Sequence, residues 1–113
     1  MIIGREFSFD AAHKLEWHNG KCKNLHGHTY KFEVLIKGEL NRAGIVLDFH
    51  ELDEIVKDEI LEILDHSYLN EIIENPTAEE IAIWIWNKLK EKLEGLYEVK
   101  IWESPKSFAI YRG

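Results

Sequence analysis

The residues best suited to chemistry lie in the stretch Cys22-Lys23-Asn24-Leu25-His26-Gly27-His28, read together with His13 nine positions before the cysteine. Side chains at i and i+2 of an extended backbone point to the same side, so His26 and His28 aim at one spot. His13, brought in from a neighbouring strand, would complete a set of three imidazoles. Three protein ligands with a fourth position left open is the arrangement of a catalytic zinc. Imidazole also suits copper, iron and nickel, and zinc is favoured because nothing else in the chain suggests redox chemistry. Cys22, the sole cysteine, sits between Lys21 and Lys23. Cationic neighbours and a metal lower a thiol's pKa and prepare it to act as a base. A fourth metal ligand, which would close the site, and an inert apolar residue are its competing roles, and the pattern leaves them open.

Two acidic positions join this set. Asp65-His66 reads either as a helix-end cap or as a carboxylate orienting an imidazole for proton shuttling. Glu103 falls on the apolar parity of a strand, where a carboxylate needs a compensating partner. A ligand edge with two adjacent N–H donors would serve, and so would an arginine elsewhere in an oligomer. His18 and His50 carry no assignable chemistry.

The elements that must position these residues follow from periodicity. Residues 3–13 alternate, with Phe7, Phe9 and Ala11 sharing the parity of His13, which predicts a half-buried strand. One histidine at the end of such a face is ordinarily a hydrogen-bonded core residue; two more aimed from the next strand reverse that reading. Residues 14–25 lack periodicity and carry the Asn19-Gly20 turn dipeptide. Residues 26–38 alternate again, so His26 and His28 continue the apolar face of Tyr30, Phe32, Val34 and Ile36. An antiparallel pair is the economical way to join these strands.

From Leu47 the period becomes helical, with Asp48 as N-cap and Glu51 completing a capping box, and the helix ends near Asp65-His66. Thr77 and Glu80 repeat the capping signal before a second helix that runs to about Leu93. Its stretch Ile81 to Trp86 is apolar nearly all round, so part of it must meet a sheet or another subunit. Residues 97–103 form a strand with Val99 and Ile101 inward and Glu98 outward, and Phe108, Ile110 and Tyr111 suggest a short last one. The expectation is an α+β domain spanning residues 1–113 in the order ββααββ, with a four-stranded antiparallel sheet and two helices on one face.

Composition narrows the partners. With 113 residues the chain can bury one core but hardly a deep pocket as well, which favours a substrate site between subunits. A formal charge of -7 argues against nucleic acid, although Lys14, Lys21, Lys23 and Lys31 gather near the histidines and suit an anionic substrate. A single cysteine, no long apolar run and an early charged N-terminus point to a cytoplasmic protein with no membrane partner.

The phrases Phe9-Asp10-Ala11-Ala12-His13, Lys21-Cys22-x-x-Leu25-His26-Gly27-His28, Leu64-Asp65-His66-x-x-Leu69-Asn70, Pro76-Thr77-x-Glu79 and Trp102-Glu103 resemble the 6-pyruvoyltetrahydropterin synthase and 6-carboxytetrahydropterin synthase family over essentially the whole chain. The resemblance implies a tunnelling fold whose copies form trimers, commonly stacked as hexamers, with sheets closed into a barrel and active sites at subunit interfaces. It implies Zn2+ on His13, His26 and His28, Cys22 as proton acceptor, and Asp65 with His66 as proton relay. Glu103 would anchor a pterin triphosphate substrate, with Thr77 and Glu79 as further contacts. Three residues separate Cys22 from His26, as in the carboxy-forming bacterial group. The resemblance therefore favours a lyase converting dihydroneopterin triphosphate to 6-carboxytetrahydropterin for queuosine-type deazapurines. The alternatives are the pyruvoyl-forming enzyme and, less favoured, a non-catalytic metal- or pterin-binding oligomer.

Overall fold

The computed structural model describes Met1–Gly113. Strand β1 (Ile2–His13) and strand β2 (His26–Lys37) form the long antiparallel ladder at its centre. Their inward residues are large and aromatic, and Phe9 stacks on Tyr30 at 5.0 Å while Phe7 stacks on Phe32 at 5.3 Å. These cross-strand pairs pin the register, because a one-residue slip would turn every one of them to solvent. The same register sets His13 opposite His26.

Helix α1 (Phe49–Val56) starts at Asp48, whose carboxylate accepts the His50 N–H at 2.8 Å. The cap thus forms through His50 rather than through the expected Glu51. The helix passes through a π turn (Lys57–Leu61) into the short α2 (Glu62–Leu64). Strand β3 (Ser67–Tyr68) and a 3₁₀ turn (Leu69–Glu71) lead to helix α3 (Ala78–Leu89), capped by the Thr77 hydroxyl. Strands β4 (Leu96–Ser104) and β5 (Ser107–Tyr111) close the chain. Leu52, Val56, Ile60 and Leu64 from the first helical stretch and Ile81, Ala82, Ile85 and Leu89 from α3 are fully or almost fully buried in one core with the inward face of the sheet. Burial of each such valine, leucine or isoleucine side chain contributes about 1.5–3 kcal/mol before entropy is subtracted.

The α+β class and the two helices match expectation; the sheet differs. It has five strands in the order β3-β1-β2-β4-β5 and is mixed, because β3 runs parallel to β1 at Ala11↔Ser67 and Ala12↔Tyr68. A strand of two residues has no alternation to detect. Helix α3 also stops at Leu89 and not near Leu93. A turn follows, ending at Gly95, which has φ +82° and whose added Cβ would lie 2.4 Å from the Lys37 carbonyl. The β2–β4 register shifts between Leu35 and Ile36, with Tyr97 as the extra residue, while Glu98, opposite Leu35, keeps the outward position expected for it. Glu98 is 7% exposed and accepts from Arg112 Nε at 2.9 Å, so its charge is compensated. Within one chain the sheet is open: β5 lies at one edge, and β3 covers only the last part of β1 at the other. No helix is long and apolar enough to cross a membrane.

Candidate active site

His13, His26 and His28 converge. The ladder puts His13 at the end of β1 and the other two at the start of β2 on the same face, and their ligand nitrogens all lie within 4.8 Å of one another. The His13 and His26 Nε2 atoms are 2.9 Å apart. Each ring is oriented by its other nitrogen: His13 Nδ1–H donates to the Pro76 carbonyl at 2.8 Å and His26 Nδ1–H to the Asn24 carbonyl at 2.7 Å. In the neutral tautomers those bonds select, neither Nε2 carries a proton, and two lone pairs face each other. His28 Nε2 is buried with no hydrogen-bond partner.

Buried polar atoms are rarely left in this state, and a cation among the three nitrogens would resolve both the orphan and the facing lone pairs. Burial is the largest influence on His13 and His28, and it lowers the pKa of both imidazoles. Lowered values keep the rings neutral, which is the form that ligates a metal. The donor set fits a divalent ion with an open coordination position.

Glu103, at the end of β4, turns its carboxylate toward this cluster, with Oε1 3.5 Å from His13 Nε2 and 3.8 Å from His28 Nε2. The β2–β4 ladder ends at Lys31↔Trp102, and beyond it a recess of ≈ 540 Å³ opens between the strands. His28, Thr29, Lys31, Trp102, Glu103 and Ser104 are among its lining residues. Tyr30 forms the floor of the cluster, its hydroxyl 3.3 Å from His13 Nδ1. Burial, with Glu103 beside it, pushes the phenol well above its ordinary range, so it stays protonated.

Cys22 lies half-buried on a 3₁₀ turn (Lys21–Lys23) in the loop that joins His13 to His26. Its sulfur does not belong to the cluster of ligand atoms, which comprises the three histidines alone. Lys21 and Lys23 flank it as expected. Lys14 and Lys31 are each engaged by a carboxylate at 3.0 Å, Glu16 and Glu6 respectively.

Asp65 and His66 stand elsewhere. Asp65 Oδ1 accepts the Asp10 N–H at 3.0 Å, the His66 N–H donates to the Asp10 carbonyl at 2.6 Å, and His66 Nδ1 lies 3.1 Å from Asp65 Oδ2. The Asp10 N–H, and after it the His66 side chain, holds the Asp65 carboxyl below its usual range. His66 adopts φ 59°, a left-handed conformation uncommon outside glycine and asparagine. The Asp10 carboxylate joins the pair from β1, held by the Thr29 hydroxyl at 2.5 Å. Asp10 and Thr29 alternate with Ala11 and His28, so this second cluster occupies the sheet face opposite the three histidines.

The Thr77 hydroxyl is used as a cap, accepting the Glu80 N–H at 3.2 Å, and Glu79 is exposed in the same first turn. His18 Nδ1 accepts from Gly20 N–H inside its own loop, and His50 is an exposed helix residue beside Glu54. Sequence reasoning missed Asp10 and Pro76 as the partner of His13. Only the register of β1 against β2 could have exposed Asp10, and a backbone carbonyl leaves no trace in residue types.

Comparisons with known proteins point to one family. A family model described as 6-pyruvoyl tetrahydropterin synthase matches residues 2–113. The chain is 40% identical to the 6-carboxy-5,6,7,8-tetrahydropterin synthase of Haemophilus influenzae, covering 97% of each protein. It is 42% identical to a dihydroneopterin monophosphate aldolase of Pyrococcus furiosus over 85% of this chain and 83% of that one. The solved structure of Caenorhabditis elegans 6-pyruvoyl tetrahydropterin synthase superposes with a TM-score of 0.90 at 32% identity, covering 100% of this chain and 95% of that one. Motifs, fold and relatives place the chain in the 6-pyruvoyl/6-carboxytetrahydropterin synthase family of pterin-processing lyases.

Proposed function

We propose that the chain is a zinc-dependent 6-carboxytetrahydropterin synthase. It converts 7,8-dihydroneopterin triphosphate to 6-carboxy-5,6,7,8-tetrahydropterin, with acetaldehyde and triphosphate released, and supplies deazapurine synthesis of the queuosine type in the cytoplasm. The observation that carries this reading is the unpartnered, buried His28 Nε2 within a cluster of three imidazoles, with Glu103 facing it and a thiol outside it. His13, His26 and His28 hold the metal, which when bound acts as a Lewis acid toward the side-chain hydroxyls of the substrate. Glu103 accepts hydrogen bonds from adjacent N–H groups of the pterin edge, and Thr77 and Glu79 border the ring. The recess beside Glu103 falls within the usual range for small-molecule sites. Cys22 accepts a proton from a side-chain carbon next to a hydroxyl, and His66, oriented by Asp65, returns one.

Because His66 lies on the sheet face opposite the three histidines, the relay that serves one centre comes from a neighbouring copy. The uncovered strand edges supply the means: β5 of one copy pairs with the open part of β1 of the next, closing a barrel of three chains or a stacked pair of such rings.

Product analysis with dihydroneopterin triphosphate tests the reaction. Acetaldehyde together with a 6-carboxypterin is expected. Triphosphate release with a pyruvoyl product and no acetaldehyde would establish instead the reaction named for the C. elegans relative. A two-carbon phosphorylated aldehyde from the monophosphate would align the chain with the P. furiosus aldolase.

A further inference from the structure

The loop from Lys14 to Leu25 begins at one histidine of the cluster, ends at another and carries the thiol between them, so its placement decides where Cys22 sits. The β1–β3 pairing stops at Ala12↔Tyr68, and the backbone of Lys14 has no strand beside it there. The side chain of Asn70 takes that place. Lys14 N–H donates to Asn70 Oδ1 at 3.0 Å, and Asn70 Nδ2 donates to the Lys14 carbonyl at 2.8 Å. Only one orientation of the amide satisfies both bonds. A single side chain thus engages both backbone groups of one residue, groups that a parallel ladder would pair with two different residues of the neighbouring strand.

The connection continues through the next residue. Leu15 is buried, at 8% exposure, and its N–H donates to the Cys22 carbonyl at 2.8 Å. Around the thiol the 3₁₀ turn is closed by Lys23 N–H to Gly20 and Asn24 N–H to Lys21. Trp17 Nε1–H donates to Asn75 Oδ1 at 2.8 Å, a second tie between the same two segments. Every link from Asn70 to the cysteine backbone is a hydrogen bond of ordinary length to a main-chain group.

We propose that Asn70 is a positioning residue for the Cys22 thiol, acting through the backbone of Lys14 and Leu15. The hydrogen bonds of the Asn70 side chain go to Lys14 and to neither the three histidines nor the sulfur. The Asn70 amide ties down Lys14, two residues past the end of the β1–β3 ladder, and carries that order into the loop, so that the sulfur is held at a fixed offset from the histidine cluster. The inference rests on Cys22 as the proton acceptor, the role proposed above.

The test compares Asn70→Ala, which removes both bonds, with Asn70→Asp, which keeps the acceptor for the Lys14 N–H and loses the donor. Three quantities are measured on the full-length, metal-loaded protein: amide hydrogen exchange at Lys14 and Leu15, the rate of Cys22 alkylation by iodoacetamide, and kcat and KM with dihydroneopterin triphosphate. In Asn70→Ala, exchange at Leu15 and alkylation should each change by about tenfold, with bound metal retained. The kcat should fall by about 10- to 100-fold with KM within about twofold, because a misplaced base costs rate more than binding. Asn70→Asp should fall between wild type and Asn70→Ala in all three, and it carries the test should Asn70→Ala fail to fold. Faster exchange at Leu15 with alkylation and kcat both unchanged would overturn the proposal, as would unchanged exchange in a folded variant. Failure of the underlying reading shows separately, as full turnover in Cys22→Ala; exchange and alkylation then still decide whether Asn70 positions the thiol.

Discussion

The two faces of the sheet carry two clusters that differ in how far a single chain completes them. On the helix-covered face, His13 is fully buried and the His13 and His26 rings are fixed by main-chain carbonyls of the same chain. On the open face, Asp65 and His66 have side chains 41% and 79% exposed, fixed at the backbone by Asp10 but covered by nothing. The first cluster owes its geometry to strand register, and Phe9, Tyr30 and Phe32, which help set that register, are buried. The second owes its geometry to a turn clipped onto a sheet edge. A metal centre needs rigid ligands and tolerates burial, whereas a proton relay must meet a substrate and so stays open until a neighbour closes over it.

Removing a histidine from the inner cluster should have the largest effect. His28→Ala should reduce bound zinc to well below one per subunit and lower turnover by about 1000-fold or more, as seen by elemental analysis and steady-state assay. Full metal retention would dissolve the distinction between the two faces.

Mixing two inactive variants sharpens the comparison. Cys22→Ala and His66→Ala should each keep metal and lose turnover by about 100- to 10,000-fold. Co-assembled in equal amounts, they should regain activity at about a quarter of the sites, because some interfaces then bring an intact thiol and an intact imidazole together. No recovery on co-expression would mean that each chain supplies its own relay.

A smaller effect is expected from Glu103→Gln, which keeps the shape of the side chain and removes its charge. Pterin affinity should fall by about tenfold while bound metal stays the same, measured by titration with a product analogue. A loss of metal exceeding the loss of pterin affinity would make Glu103 part of the metal centre.

The smallest effect is on the stability of the metal-free protein. His13 and His28 have native pKa values lowered from 6.5, so below that value the unfolded chain binds more protons than the native one. Stability is therefore full above about pH 6.5 and falls as the pH drops toward the lowered native values. The lowered Asp65 carboxyl acts in the same direction at more acidic pH. Thermal melts of the chelator-treated protein at neutral pH and near pH 5.5 should show a lower midpoint in acid, and zinc at neutral pH should raise it.

The inner face was the more readable of the two. Alternation in β1 and β2 placed His13, His26 and His28 on the core side, and the apolar run ending in them left few other arrangements. The outer face depended on features with no periodic signature. Strand β3 has two residues, His66 needs a left-handed backbone, and Asp10 matters because the strand pairing sets it against Thr29. The bulge at Tyr97 left no trace beforehand, because residue types do not announce a bulge. The cap at Thr77 was visible because its chemistry is local, whereas the bond from Pro76 to His13 joins positions 63 residues apart.

That last bond has a further consequence. The carbonyl held by His13 belongs to the residue between Asn75, which grips the Trp17 indole, and Thr77, which starts α3. An ion bound among the three rings would hold the His13 imidazole more firmly, and Pro76 and Asn75 would carry that constraint to Trp17. Trp17 should therefore change its emission when the centre is loaded, giving the protein an optical gauge of its own occupancy without any added label.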